Sequence, residues 1–183
     1  MNQKTFMRGH TLLELIIVVA ILAILLSMAA PAFSTWTDKS QRSIIIHDLL
    51  GFFSLARQEA IQRGQQLTLC PVDLNNSCIN DWSQPIYLFE DAFNQRKLTD
   101  QSQLIRVFPK EIQGNLTASK AYFRYRPDGM IQGDWGNLTW CPASGDASLA
   151  VHVVINRGGR LRVATDTDGD GVPNKASGDP VQC

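Results

Sequence analysis

Residues 12–30 form a nineteen-residue apolar run whose only charge is Glu14. At about 1.5 Å per residue, a helix of that length covers roughly the hydrocarbon thickness of a bilayer. A carboxylate in such a run is unfavourable by up to about 2.5–3.5 kcal/mol at the centre of a span and by less near its edge. Glu14 at the mouth of the run therefore asks for a role. Ahead of it lies a short leader, residues 1–9, which carries Lys4 and Arg8 and ends in Gly9. A secretory signal peptide would have an apolar core of about 7–15 residues and a small-residue cleavage site behind it. Here the run is longer, Glu14 interrupts it, and Ala29-Ala30-Pro31-Ala32 is a weak cleavage candidate. An ordinary single-span anchor is the other alternative.

The 183 residues leave room for this anchor and one globular domain of about 120 residues, enough for a single core. The chain holds 17 basic and 17 acidic side chains, and loss of the leader with Lys4 and Arg8 would leave 15 basic. Global charge thus gives no support to nucleic-acid binding, and any such site must be a local cluster. All four cysteines, Cys70, Cys78, Cys141 and Cys183, lie beyond the apolar run. An even count confined to the exported part predicts disulfides in an oxidising compartment. Zinc competes poorly, because there is no Cys-x-x-Cys pair and two of the three histidines, His10 and His47, fall on the predicted helix. Proximity favours pairing Cys70 with Cys78 and Cys141 with Cys183. In the chain-entropy model these loops would contribute about 2.5 and about 4 kcal/mol.

The helical pattern continues past the apolar run. Ile45, Leu49, Phe52, Phe53, Ala56 and Ala60 recur at spacings of three and four, an amphipathic stripe expected to cover a core. Ser40, Arg42, Asp48, Arg57, Gln58 and Gln62 occupy the other faces, and Gly64 follows as a stop signal. One helix from about His10 to Arg63 is predicted, bent near Pro31 because that ring removes a backbone donor. Beyond it the periodicity shortens. Strands are expected at 67–72, 86–90, 104–108, 121–126, 137–141 and within 149–165, separated by turns such as Pro127-Asp128-Gly129 and Gly158-Gly159. The fold class is α+β, one long helix against an antiparallel β domain. Trp82, Trp135 and Trp140 are assigned to core or hairpin packing.

No catalytic constellation emerges: Gly-x-Ser-x-Gly, His-Glu-x-x-His and a Walker-type phosphate loop are all missing from the sequence. His152 reads as a satisfied strand histidine, so the chain is not expected to be an enzyme and no organic cofactor is implied. The most suggestive local feature is Asn156-Arg157-Gly158-Gly159-Arg160-Leu161-Arg162-Val163. Alternating apolar runs on both sides make this a hairpin. Side chains alternate along a strand, so Arg160 and Arg162 should share one side while Leu161 and Val163 take the other. Arg157 sits across the turn, Lys175 follows in a later loop, and no acid occurs from 147 to 165. Guanidinium forks match phosphate oxygens. A solvated hairpin kept soluble by charged edges is the plainer alternative. Next comes Asp166-Thr167-Asp168-Gly169-Asp170-Gly171, which resembles the opening of a calcium loop with Asp166, Asp168 and Asp170 as ligands. Its twelfth position is Ser177 and not the closing glutamate. A polar turn is the alternative there.

Gly9-His10-Thr11-Leu12-Leu13-Glu14 resembles the class III signal of type IV pilins and type II secretion pseudopilins. That resemblance implies cleavage by a prepilin peptidase after Gly9 and methylation of the amino terminus of His10, where the family usually has phenylalanine. It also implies that Glu14, as mature position five, pairs with a neighbouring subunit during assembly. Leu55-Ala56-Arg57-Gln58-Glu59-Ala60-Ile61-Gln62-Arg63 is similar to a segment of the FimT/GspH branch of minor pilins. Gly159-Arg160-Leu161-Arg162 matches the Gly-Arg-x-Arg motif of FimT-like pilins that bind DNA in natural transformation. The implied organisation is a leader at 1–9, a transmembrane helix at 10–33, its amphipathic continuation at 34–64, and a periplasmic or extracellular β domain at 65–183. The implied protein sits as a single pass in a bacterial inner membrane, then joins other pilins in a surface pilus. There Arg157, Gly159, Arg160, Arg162 and Lys175 would hold double-stranded DNA. A GspH-like minor pseudopilin of a type II secretion system, or a minor pilin that only primes pilus assembly, stands as the alternative.

Overall fold

The computed structural model describes residues 11–108, 112–133 and 135–183, with side chains described throughout except at 28–32, 34 and 35. The predicted leader, Gly9 and His10 fall outside the described residues, as does the Pro31 ring expected to bend the helix. Two compact units divide the chain, residues 1–37 and 38–183.

A single helix, α1, runs Leu12–Arg63. Its start is capped by Thr11, whose Oγ1 accepts from the Glu14 backbone N–H at 3.2 Å. A hydroxyl in that position satisfies one of the donors that a helix start leaves without partners. Glu14 itself stands in the first turn, where the helix dipole favours a carboxylate. Around the first part of the helix, apolar side chains from Leu12 to Leu26 are exposed on every face, which leaves them without a core of their own. Among the described residues no helix is long and apolar enough to cross a membrane, and the predicted span 10–33 takes in positions whose side chains are not described.

In residues 38–183 the predicted stripe is fully used. Ile45, Leu49, Phe52, Phe53, Ala56 and Ala60 are all buried. The helix ends after Arg63 because Gly64, at φ +62°, turns the chain into the left-handed region. Eight strands follow: β1 Leu67–Pro71, β2 Ile86–Glu90, β3 Leu104–Val107, β4 Asn115–Ala118, β5 Phe123–Tyr125, β6 Gly136–Cys141, β7 Val151–Ile155 and β8 Leu161–Val163. They form two four-stranded antiparallel sheets, ordered β3-β2-β1-β5 and β4-β6-β7-β8. Strand β4 was not expected: Asn115-Leu116-Thr117-Ala118 is too short and too weakly apolar to show a period.

Both sheets and the helix close on one core. Leu67, Leu69, Leu88 and Phe123 enter it from the first sheet, and Leu138, Trp140, Val151 and Val153 from the second. The Phe53 and Phe123 rings meet edge to face at 5.5 Å, a contact that joins helix and first sheet. Trp82 and Trp140 are core residues whose indole N–H groups donate to the carbonyls of Lys120 at 3.0 Å and Gln113 at 2.7 Å. Trp135 departs from expectation: it is 61% exposed and packs in no core cluster. It precedes Gly136, which opens β6, so it lies outside the alternation that buries Leu138 and Trp140. Disulfides join Cys70 to Cys78 and Cys141 to Cys183. The second ties the end of the chain to β6.

Candidate nucleic-acid interface

Strands β7 and β8 pair in the register Val153↔Val163, Val154↔Arg162 and Ile155↔Leu161. Val153 and Ile155 are buried, so Leu161 and Val163 follow them inward and Arg162 takes the outer face. The loop between them is closed by two backbone bonds, Gly159 N–H to Asn156 O at 2.9 Å and Asn156 N–H to Arg160 O at 3.1 Å. Asn156 Oδ1 also accepts from the Arg160 backbone N–H at 3.1 Å. Gly159 has φ +72°, the left-handed residue that such a three-residue hairpin loop requires. Arg157, Arg160 and Arg162 are all exposed.

The tip's backbone is held from outside the hairpin as well. Tyr125 Oη donates to Gly159 O at 3.1 Å, and the Ile131 N–H donates to Arg157 O at 3.0 Å. Burial pushes the Tyr125 phenol well above its usual range, so it remains a donor at any physiological pH. Gly129, in the turn after β5, presents its carbonyl to Arg57 Nε at 3.1 Å. Arg57 is thus half-buried and ties the helix to this corner; as a side chain on a polar face it gave no sign of that in the sequence. Arg63 bridges Glu59 at 2.7 Å and Glu90 at 2.9 Å instead. Between α1 and the tip runs a groove of 640 Å³ lined by Arg57, Gln58, Gln62, Arg160 and Leu161 among others. Among the described residues no carboxylate lines it.

Lys175 lies over the outer face of the second sheet, beside His152 and Val154 in a shallow cleft. Val154, which lines that cleft, is also the register partner of Arg162. His152 points outward in the strand alternation yet is buried, and it shares its cleft with Lys175, Ala176 and Ser177. Its Nδ1 lies 2.8 Å from Thr139 Oγ1. Burial, with the Lys175 charge second, holds its pKa below the usual 6.5. The neutral ring is therefore the form the fold prefers. Stability resting on it is present above about pH 6.5 and is lost as pH falls through the lower folded value. Denaturant midpoints measured stepwise below about pH 6.5 are expected to fall more steeply for the parent chain than for His152→Gln; equal slopes would remove His152 from the account.

Asp166, Asp168 and Asp170 do come together, with one carboxylate oxygen from each lying within 4.8 Å of the others. Much of their capacity is spent on the loop itself. Asp166 accepts from Gly169 N–H at 2.7 Å and Gly171 N–H at 2.8 Å, which lowers its pKa, and Asp170 accepts from Val172 N–H at 2.7 Å. Oxygen donors of this kind fit a hard cation in type, but three carboxylates fall short of the six to eight oxygens calcium takes.

The sequence and fold match known proteins in consistent ways. Residues 46–159 match the family model of the type II transport protein GspH, and residues 6–30 match the prokaryotic N-terminal methylation motif. No curated relative matches the chain. Among solved structures, the type IV minor pilin FimU of Pseudomonas aeruginosa superposes with a TM-score of 0.55 at 14% identity, over 71% of this chain and 92% of that one. A second crystal form of FimU gives 0.51 at 12% identity, over 69% and 91%. The minor pseudopilin EpsH from the type 2 secretion system of Vibrio cholerae gives 0.44 at 15% identity, over 67% and 95%. At these identities the likeness to FimU is one of fold: a long helix on antiparallel sheets. With the last part of the helix, strands β1 to β7 and the hairpin turn as far as Gly159 spanned by the GspH model, and the methylation motif ahead of them, the chain belongs to the GspH family of minor pilins and pseudopilins.

Proposed function

We propose that this protein is a minor type IV pilin that captures extracellular double-stranded DNA for uptake, using the hairpin tip at residues 156–162. The observation that carries the reading is a contrast within the tip: its backbone is tied down by Tyr125, Ile131 and Asn156, while the residues Arg157, Arg160 and Arg162 are exposed. A fixed backbone leaves only side chains to order on contact, and a tip segment without carboxylates presents one sign of charge to an approaching phosphate backbone. Contacts of this kind go mainly to phosphates, so affinity should depend steeply on salt and little on base sequence. Arg162, and Lys175 in the neighbouring cleft, would extend the contact along the sheet.

Anchoring follows from the other end of the chain. On this reading the methylation motif supports cleavage after Gly9 and modification of His10, with residues 10–33 in the inner membrane before assembly. Glu14 would then meet a neighbouring pilin.

The test is binding of a short DNA duplex to the detergent-solubilised chain at low and moderate salt. The double change Arg160→Gln with Arg162→Gln is expected to weaken binding by about 10- to 100-fold and to flatten the salt slope by about two phosphate contacts. Binding indifferent to that change, or no binding by the parent chain, would remove DNA capture. The membership in the GspH family would then favour the second reading, a structural subunit of a secretion pseudopilus. Calcium belongs to the same proposal: held by Asp166, Asp168 and Asp170, it would neutralise acids that follow the arginines in sequence. DNA affinity is then expected to rise with calcium, and equal affinity with calcium and with chelator would sink that part.

A further inference from the structure

The outer face of the second sheet carries a cleft of 350 Å³, lined by Lys120, Trp135, Asn137, His152, Val154 and Lys175 among others. Val154, Asn137 and Ser119 of its lining belong to one cross-strand row. Arg162 on β8 stands opposite Val154 on β7, Val154 opposite Asn137 on β6, and the Ser119 N–H donates to Asn137 O at 3.0 Å. At about 4.8 Å between strands, that row runs roughly 14 Å from Arg162 to Ser119. Lys120 and Lys175 line the cleft, and Arg162 stands at the β8 end of the row. Lys175 makes no ion pair among the described residues. No described lining residue is acidic, and Ser177 of the lining donates to Asp179 Oδ2 at 2.7 Å.

Trp135 is what separates this cleft from a merely basic strip. Its indole is 61% exposed, while Trp82 and Trp140 are sunk in the core with their N–H groups satisfied. An aromatic face beside lysines suits a partner with a flat ring and an anionic chain. Base faces are available for such stacking only where they are not already stacked on both sides within a duplex. Asn137 adds an amide that can donate to or accept from a base edge.

We propose that this cleft binds single-stranded nucleic acid, with a base stacked on Trp135 and phosphates held by Lys120, Lys175 and Arg162. The inference rests on the reading of the hairpin as a DNA contact and extends it: the tip meets the duplex, and an unpaired strand at a frayed end follows the sheet. Stacking accepts every base, so little sequence preference is expected.

The experiment compares a labelled thymidine oligonucleotide of about twelve residues with a duplex of equal length, both titrated with the full chain in detergent. Trp135→Ala is expected to weaken single-strand binding by about 5- to 100-fold and leave duplex binding unchanged. Trp135→Phe should restore most of the loss, since a ring remains to stack. An unchanged thermal midpoint for Trp135→Ala shows that the fold is intact, as the exposed indole leads one to expect. Single-strand binding untouched by Trp135→Ala overturns the inference, and so does an equal loss on single strand and duplex. Duplex binding without single-strand binding also overturns it while leaving the hairpin reading in place. Single-strand binding without duplex binding does the reverse. Binding of neither removes both.

Discussion

Gly159→Ala is expected to lower the unfolding free energy by about 2–5 kcal/mol and to abolish most of the tip's binding. Two independent effects add. At φ +72° an L-residue suffers a clash between its Cβ and the following carbonyl, about 1–2 kcal/mol. A Cβ there would also run into the Gly129 carbonyl and come within 2.8 Å of Tyr125 Cε1. Neither neighbour can retreat easily, because Tyr125 is fully buried and Gly129 O is held by Arg57 Nε. Overpacking of that kind costs about 1–3 kcal/mol. Gly64→Ala separates the two effects: Gly64 has φ +62°, but nothing lies within 4 Å of an added Cβ, so only the backbone part should appear. Denaturant unfolding of both variants checks this. Equal losses at the two positions would show that the tip is not wedged against Tyr125 and Gly129. For a domain whose total stability is about 5–15 kcal/mol, the larger loss removes at least a third of it.

Removing the Cys141–Cys183 bridge by a double change to serine is expected to cost about 4 kcal/mol, since the closed loop spans 42 residues. Removing Cys70–Cys78, with a separation of 8, should cost nearer 2.5 kcal/mol. The difference is also one of place. The C-terminal segment beyond β8 has no strand of its own; it is held by Val181, which is buried, by Asn174 N–H to Thr165 O at 3.1 Å, and by Thr167 N–H to Asn174 Oδ1 at 2.6 Å. Freed from β6, this segment should fray first and take Lys175 off the outer face of the second sheet. Limited proteolysis is then expected to cut within residues 165–183 before any other described segment. Identical cleavage patterns with and without the bridge would mean the short contacts hold the segment unaided.

The helix was legible because its information is local. A stripe from Ile45 to Ala60 at three- and four-residue spacing admits one buried face, and Gly64 supplies a conformation other residues resist. The hairpin's alternation was legible for the same reason: with Val153 and Ile155 inward, Arg162 must face out. The weak strand β4 was not, because its partner Trp140 and its pairing with β6 lie 24 residues further along the chain. Trp135 was misplaced because hydrophobicity argues for burial, while position decides it. One residue ahead of β6, it has no neighbouring layer to enter.

What residue order alone determined is the set of features that nearest neighbours enforce: the apolar run with Glu14, the amphipathic continuation, the arginine hairpin and the aspartate loop. Each is a pattern within about a dozen residues, where backbone geometry links spacing directly to facing. Which elements then share a surface is a matter of sequence-distant contact. Only the tertiary structure placed Arg57 and Gly129 beneath the hairpin tip, brought Lys175 into one cleft with His152 and Val154, and left Trp135 in solvent beside Asn137. Those juxtapositions arise from burying one core between a helix and two sheets, and no short window of the chain records that choice.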